Sequence, residues 1–373
     1  MMKSIFFPGR VIVFLFLILF FMCHSVSGAL DIMDSQTGDA IPIIYDYPLP
    51  EVATLFEEAV PLTERSVRER LDREFTIIVW DRPQVIMWLK RSGRFFPYIE
   101  EQLRQAGMPD DLKYIAVAES SFHSHIRSRA GAVGIWQFMS HTAKKNGLIK
   151  KRGIDERRDF FKATTTAIKY LKKLHDTFGS WNLAVAAYNC GEGRLKGEMK
   201  KQKITDYYKL KLPNETERYM FRILSIKLIM EDPNKYGYYL APERIYAPYE
   251  IDVVGVNIRI PIEIADVTNE LGMSYREIKE INPQLTSRLF PAGKYTINIP
   301  EGKKKAFLAA INRSTEKLVK HIKYHPDRYY RVRKGDTLIG ISIKTGVSVG
   351  TLKRLNDLNG SLIREGQKLL LQP

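Results

Sequence analysis

Ala118-Glu119-Ser120-Ser121-Phe122 closes an apolar helical run, and after a short loop the chain returns as Gly131-Ala132-Val133-Gly134-Ile135-Trp136-Gln137-Phe138. Glu119 is the one carboxylic acid between Ala118 and Phe138. An acid at an apolar helix position is costly to bury in its charged form, so it keeps its proton and its pKa rises. A carboxyl held neutral near pH 7 is usable as a general acid. The glycine-broken segment beside it offers Trp136 and Gln137, groups that hold sugar rings, and the combination is what cutting a sugar chain requires. A plainer reading makes Glu119 a structural acid paired with Arg127 or Arg129. On these residues alone that plainer reading is the commoner one.

Outward from this stretch the pattern is helical. Val85, Ile86, Trp88 and Leu89 recur at helical spacing, Gly93 is expected to break the run, and Phe95 to Ala106 resumes it. Pro109-Asp110-Asp111 opens the next helix with acids where the dipole favours them. Leu112, Ile115, Ala116 and Glu119 then share one face. Further helices are expected over Ala163 to Phe178, Trp181 to Ala187 and Leu212 to Met230. Before this region the chain reads as a loosely packed lead-in with a short helix near Thr63 to Leu71. After about Tyr236 the character changes to strand at Tyr249 to Ile262, helix at Pro261 to Asn282, strand at Tyr295 to Ile299 and a basic helix over Glu301 to Lys323. Residues 328–373 repeat the strand–helix–helix–strand rhythm, with Asn282-Pro283 answering Asn356 to Leu358 and Ile297 to Pro300 answering Leu370 to Pro373.

The 373 residues suffice for two or three domains, and a net charge of +16 implies an acidic partner or surface. Lys and Arg are spread along the chain rather than gathered in one arm, which argues against nucleic acid and for work beside a polyanion. Met1 to Gly28 reads as an export signal: Lys3 and Arg10 start it, Val11 to Met22 is its apolar core, and Ser25-Val26-Ser27-Gly28 supplies small residues for cleavage. An uncleaved anchor and lipidation at Cys23 are the alternatives, and either would attach the protein to a membrane. Cleavage leaves Cys190 alone, so no disulfide forms within the mature chain. An exported, basic, disulfide-free protein fits a bacterial envelope or periplasm.

Three ordered blocks sharpen this. Glu119-Ser120, Gly131-x-x-Gly134-x-Trp136-Gln137-Phe138-Met139 and Thr142-Ala143 form the first. Asp155-Glu156-Arg157-Arg158-Asp159 then precedes a helix ending Ala187-Tyr188-Asn189-Cys190-Gly191-Glu192-Gly193-Arg194, and Leu212-Pro213-x-Glu215-Thr216-x-x-Tyr219 follows. Over roughly residues 85–232 this resembles the soluble lytic transglycosylase and goose-type lysozyme superfamily, the membrane-bound lytic murein transglycosylase D group in particular. Tyr330-Arg331-Val332-Arg333-Lys334-Gly335-Asp336-Thr337-Leu338 and Leu355-Asn356-Asp357-Leu358 are similar to the LysM module, which binds glycans containing N-acetylglucosamine.

The resemblance implies an all-α lysozyme-like catalytic domain followed by small α+β modules. The expected order is a signal peptide at 1–28, a lead-in at 29–84, the catalytic domain at 85–235, a degenerate LysM-like segment at 236–302, a basic helical connector at 303–327 and a LysM domain at 328–373. It makes Glu119 the sole catalytic acid/base. Ser128 matches the hydroxyl near the N-acetyl group of the cleaved muramyl sugar, and Gln137 and Met139 match residues lining the cleft. Tyr188 matches a tyrosine that buttresses the acid, Asn189 one that contacts sugar, and Tyr219 the tyrosine of the closing motif. Ser140 stands where proline is frequent and Cys190 where alanine is usual. The implied reaction is non-hydrolytic cleavage of peptidoglycan between N-acetylmuramic acid and N-acetylglucosamine, with no cofactor and no metal, and with LysM tethering the enzyme to glycan strands. A hydrolytic muramidase of the same fold, a silent glycan-binding scaffold and a chitin-directed enzyme are the rival readings.

Other residues carry both a bland and a sharp reading. Asp155, Glu192 and Glu215 are acids within the domain, with Glu192 read as a loop cap and Glu215 as a helix-start acid. Trp136 is split evenly between sugar platform and core, while Phe138 is read as core. His123 and His125 form an H-x-H without a third ligand and read as a solvated loop. Cys190 is expected to be a buried small residue.

Overall fold

The computed structural model describes residues 45–324 and 329–371, so the leader, Cys23 and the cleavage region lie outside the described residues. A short hairpin, β1 (Ala53–Leu55) and β2 (Glu58–Val60), leads into helices α1 (Arg65–Trp80), α2 (Arg82–Ala106) and α3 (Tyr114–Ser120), the last entered through a 3-10 turn at Asp110–Lys113. Helix α4 (Ser140–Lys145) and a small hairpin, β3 (Lys150–Lys151) with β4 (Ile154–Asp155), follow. Four helices complete the first region: α5 (Phe160–Phe178), α6 (Trp181–Cys190), α7 (Glu192–Gln202) and α8 (Asn214–Glu231).

One apolar core runs from Leu49 to Tyr238. The segment expected to pack loosely belongs to it: α1 extends to Trp80 and buries Val67, Leu71, Phe75, Ile78 and Val79 at helical spacing, packing against α8. Gly93 does not break α2, which continues through it and through Pro97. A Cβ at Gly93 would lie 2.2 Å from Ile245 Cγ2, so this glycine serves close packing by a segment far along the chain. Gly179 ends α5 in the left-handed conformation, and Ser180 caps α6 through Leu183 N–H. Glu58 reinforces that start, accepting from Trp181 N–H at 2.5 Å and from Asn182 Nδ2 at 2.6 Å. Helix α6, which carries Tyr188 and Asn189, is thereby fixed at its N-terminus.

Beyond Tyr238 the chain builds two strand–helix–helix–strand modules. In the first, β5 (Ile251–Ile258) pairs antiparallel with β8 (Gly293–Pro300), with α9 (Ile264–Glu270) and α10 (Tyr275–Ile281) between them. Two short strands, β6 (Ile262–Glu263) and β7 (Leu289–Phe290), also pair. After α11 (Lys304–Tyr324), β9 (Tyr329–Arg331) pairs with β10 (Lys368–Leu370) around α12 (Leu338–Thr345) and α13 (Val349–Leu355).

The two modules share a device. Asn282 bonds the carbonyls of Ile278 and Asn298 and accepts from Asn298 N–H; Asn356 bonds the carbonyls of Leu352 and Leu370 and accepts from Leu370 N–H. The correspondence is therefore Asn298 with Leu370, one residue off the alignment read from sequence, which set Ile297 against Leu370. Helix α11 is more than a connector, because Phe307, Ala310 and Ile311 are buried in the core of the first module.

Candidate active site

Glu119 lies in the last turn of α3, and the two residues after Ser120, Ser121 and Phe122, both take positive φ, 52° and 64°. Such backbone is strained for residues with a Cβ and persists only where the surroundings fix it. Here Gln84 Nε2 and Trp88 Nε1 donate to Ser121 Oγ at 2.6 and 2.9 Å, and Arg91 donates to its carbonyl at 3.0 Å. Ser120 Oγ donates to Ile135 O at 2.8 Å, joining the end of α3 to the glycine-broken segment. The acid is thus held on a helix end anchored from both sides.

Residue Glu119 is half-buried overall, yet its carboxyl is sheltered enough that lost hydration dominates and pushes its pKa up to about 7. The nearby charge of Glu215 raises it further, while the Tyr219 hydrogen bond and Arg222 pull it down. Tyr219 Oη donates to Glu119 Oε1 at 2.5 Å. This tyrosine is buried on α8, and its own pKa is driven far above the ordinary value by burial and by the Glu119 charge. It therefore acts as a donor throughout the neutral range.

The buttress expected of Tyr188 is thus supplied by Tyr219. Tyr188 Oη donates instead to Trp136 O at 2.7 Å, because its place at the end of α6 sets it against the 131–138 segment. Asn189 Oδ1 accepts from Thr216 Oγ1 at 2.8 Å, and its amide nitrogen has no partner among the described residues. Ser128 closes its own turn, accepting from Ala132 N–H at 3.0 Å. Gln137 has φ 45° and donates to Gly134 O at 2.7 Å; Met139 is 44% exposed. Trp136, split between two readings above, is fully buried and donates to Thr164 Oγ1 at 2.9 Å, so it is a core residue, as is Phe138.

The other acids separate cleanly. Burial tends to raise Asp155, but its two-pronged pairing with Arg157 (2.9 and 2.7 Å) wins and holds it below the usual carboxylate range. Glu192 accepts from Tyr170 Oη at 3.4 Å. Glu215 is exposed in the first turn of α8, and its charge reaches Glu119. Cys190 is half-buried rather than buried, and burial raises its thiol pKa. That leaves it a poor nucleophile.

Sequence reasoning missed Arg157. Its guanidinium donates to Gly131 O and to Phe138 O, both at 3.1 Å, drawing together the two ends of the segment that carries Gln137. Gly134 allows this approach: a Cβ there would fall 1.9 Å from Arg157 O. The run Asp155-x-Arg157 was the available signal, an acid and a base two residues apart at the entry to a 3-10 turn.

With this geometry in hand, two family models match: "Transglycosylase SLT domain" over residues 96–211 and "LysM domain" over residues 330–372. The helical region is thus similar to the transglycosylase SLT domain, and the second strand–helix–helix–strand module to the LysM domain. It is 32% identical over 295 residues to the membrane-bound lytic murein transglycosylase D of Escherichia coli (strain K12), which covers 75% of this chain and 64% of that relative. The chain therefore spans about two thirds of the length of that relative. An autolysin of Enterococcus faecalis (strain ATCC 700802 / V583) is 48% identical over 44 residues, 12% of this chain and 6% of that one. The solved 70 kDa soluble lytic transglycosylase of Escherichia coli is a partial likeness, at 18% identity and a TM-score of 0.31 over 41% of this chain and 26% of that one. Glu119, Gln137, Tyr188 and Asn189 fall inside the SLT match, whereas Tyr219 lies beyond its end.

Proposed function

We propose that this chain is a peptidoglycan lytic transglycosylase in which Glu119 is the acid and then the base. The observation that carries the reading is the Glu119 carboxyl, pushed to about 7 in a site that also supplies a short hydrogen bond from Tyr219. A pKa near the working pH lets one group give and take the same proton. Protonated Glu119 donates to the glycosidic oxygen as the bond between N-acetylmuramic acid and N-acetylglucosamine breaks. The N-acetyl carbonyl of the muramyl sugar stabilises the developing positive charge. Glu119, now ionised and stabilised by Tyr219, takes the proton of the C6 hydroxyl, which closes a 1,6-anhydro ring. The internal nucleophile has a high effective concentration, so neither a positioned water nor a second carboxylate is needed. The disposition of the other acids supports this: Asp155 is tied to Arg157, and Glu192 to Tyr170.

In this proposal Asn189, Ser128, Gln137, Met139 and Tyr188 line or shape the sugar cleft, and the LysM domain tethers the enzyme to glycan strands, adding avidity without joining the chemistry. The workplace is the bacterial cell envelope. Among the described residues no helix is long and apolar enough to cross a membrane. Mass spectrometry of products from purified sacculi tests the reaction. Anhydro ends, lighter than reducing ends by one water, are expected; reducing ends would make the protein a hydrolytic muramidase. Faster cleavage of chitin than of murein would redirect the substrate.

A further inference from the structure

A cavity of about 490 Å3 is lined by none of the residues assigned to the sugar cleft. Its walls come from α2 (Arg91, Arg94), the loop after α3 (His125), the segment leaving the helical region (Tyr246, Tyr249) and α10 of the first module (Glu280). The loop after α3 is the one that runs on from Glu119 towards Ser128, so this cavity and the sugar cleft share a wall in sequence.

Its chemistry is lopsided. Arg91 bonds Ser121 O, and Arg94 bonds Ala247 O and lies 4.5 Å from the centre of the Tyr249 ring. Just behind, Arg158 approaches His125 Nδ1 at 3.3 Å, and Lys279 bonds Ser287 O at 3.2 Å. The hydrogen-bond partners of all four cations are neutral groups. Arg158 Nε is buried with no partner among the described residues. Glu280, which is exposed, is the sole carboxylate in the lining. Burial lowers the pKa of Arg91, His125 and Lys279 alike, and the Arg158 charge adds to this for the last two. That is the signature of positive charge assembled without its counter-anion. Guanidinium forks match carboxylates, and the Phe95, Phe122 and Ile126 surfaces suit the carbon skeleton between them.

We propose that this cavity binds a carboxylate-bearing peptide, namely the peptide arm of the glycan polymer that the sugar cleft engages. The identity of the polymer rests on the function proposed above. The cavity would then give the enzyme a means of telling peptide-substituted strands from bare ones.

Calorimetric titration of the full chain with three probes tests this: a murein disaccharide tetrapeptide, the same tetrapeptide free of sugar, and the bare disaccharide. Both peptide-bearing probes should bind, with Arg94→Gln and His125→Glu each weakening them about tenfold, the scale of one charge-assisted contact. The bare disaccharide should be indifferent to both changes. Glu280→Gln, which removes the repelling charge, should tighten peptide binding, an outcome that misfolding does not produce. Equal binding of the tetrapeptide with and without sugar would mark the site as a free-peptide site; tighter binding of the linked form marks it as the polymer's arm. The proposal is overturned if the peptide probes bind no better than the bare disaccharide, or if the three substitutions leave their affinity within twofold of the native chain. Because binding is read rather than cleavage, a chain that binds these peptides but leaves sacculi intact would count against the proposed reaction and not against the cavity.

Discussion

Tyr219 and Glu119, a hundred residues apart, meet through a 2.5 Å hydrogen bond between the phenol and the carboxyl. Burial and the Glu215 charge drive the acid towards its neutral form; the phenol, which donates to it, and Arg222 favour the ionised one. Their balance sets the pKa of about 7.

Removing the phenol should disturb that balance in a signed way. Tyr219→Phe loses the bond that favours the carboxylate, so the pKa of Glu119 should rise above about 7 and the alkaline limb of the pH–rate profile should move to higher pH. Stabilisation of the carboxylate after proton donation is lost as well, which should lower kcat by roughly 10- to 100-fold on the scale of a hydrogen bond to a charged group. A fall in kcat with an unmoved limb would assign Tyr219 to packing alone.

If the proposed reaction holds, the native protein should show a kcat/KM that falls as pH rises through about 7, because the first step needs protonated Glu119. Activity that climbs steadily to pH 9 would contradict the general-acid role.

Stability should carry the same mark. A carboxyl whose folded pKa is raised from 4.5 to about 7 holds its proton better folded than unfolded. Its neutral form imposes no penalty below pH 4.5, and stability is then lost progressively between about 4.5 and 7 and stays lost above. Glu119→Gln, which cannot ionise, should therefore stabilise the protein at pH 8 by on the order of 2 kcal/mol relative to its effect at pH 4.5. Urea unfolding at the two pH values measures the difference.

Arg157 offers a test away from Glu119. Asp155→Asn removes the partner of a buried guanidinium that also holds Gly131 O and Phe138 O. Breaking such a pair on one side costs about 3–5 kcal/mol. The loss should appear in unfolding, together with reduced activity from the loosened Gln137 segment. Unchanged stability would show that water replaces the pair freely.

Much of this was written legibly in the chain. Glu119 on an apolar helix face and the Asn at the end of each second module helix could be read by spacing, since helix faces and caps are local. Trp136 could not: its fate is decided by Thr164, on helix α5. Tyr188 could not either, because which carbonyl or carboxyl a phenol reaches depends on how α6 sits against the 131–138 segment. Gly93 reads locally as a helix breaker, yet Ile245 packs where its side chain would be. The basic run of α11 masked three apolar residues, Phe307, Ala310 and Ile311, that seat it in the first module.

Protonation of Glu119 near neutral pH is what the proposed chemistry needs, and carbon-13 titration of its labelled carboxyl in the full chain measures that directly. An inflection at about pH 7, moving upward in Tyr219→Phe, is predicted. An inflection at 4.5, the ordinary value for a glutamate, would contradict it.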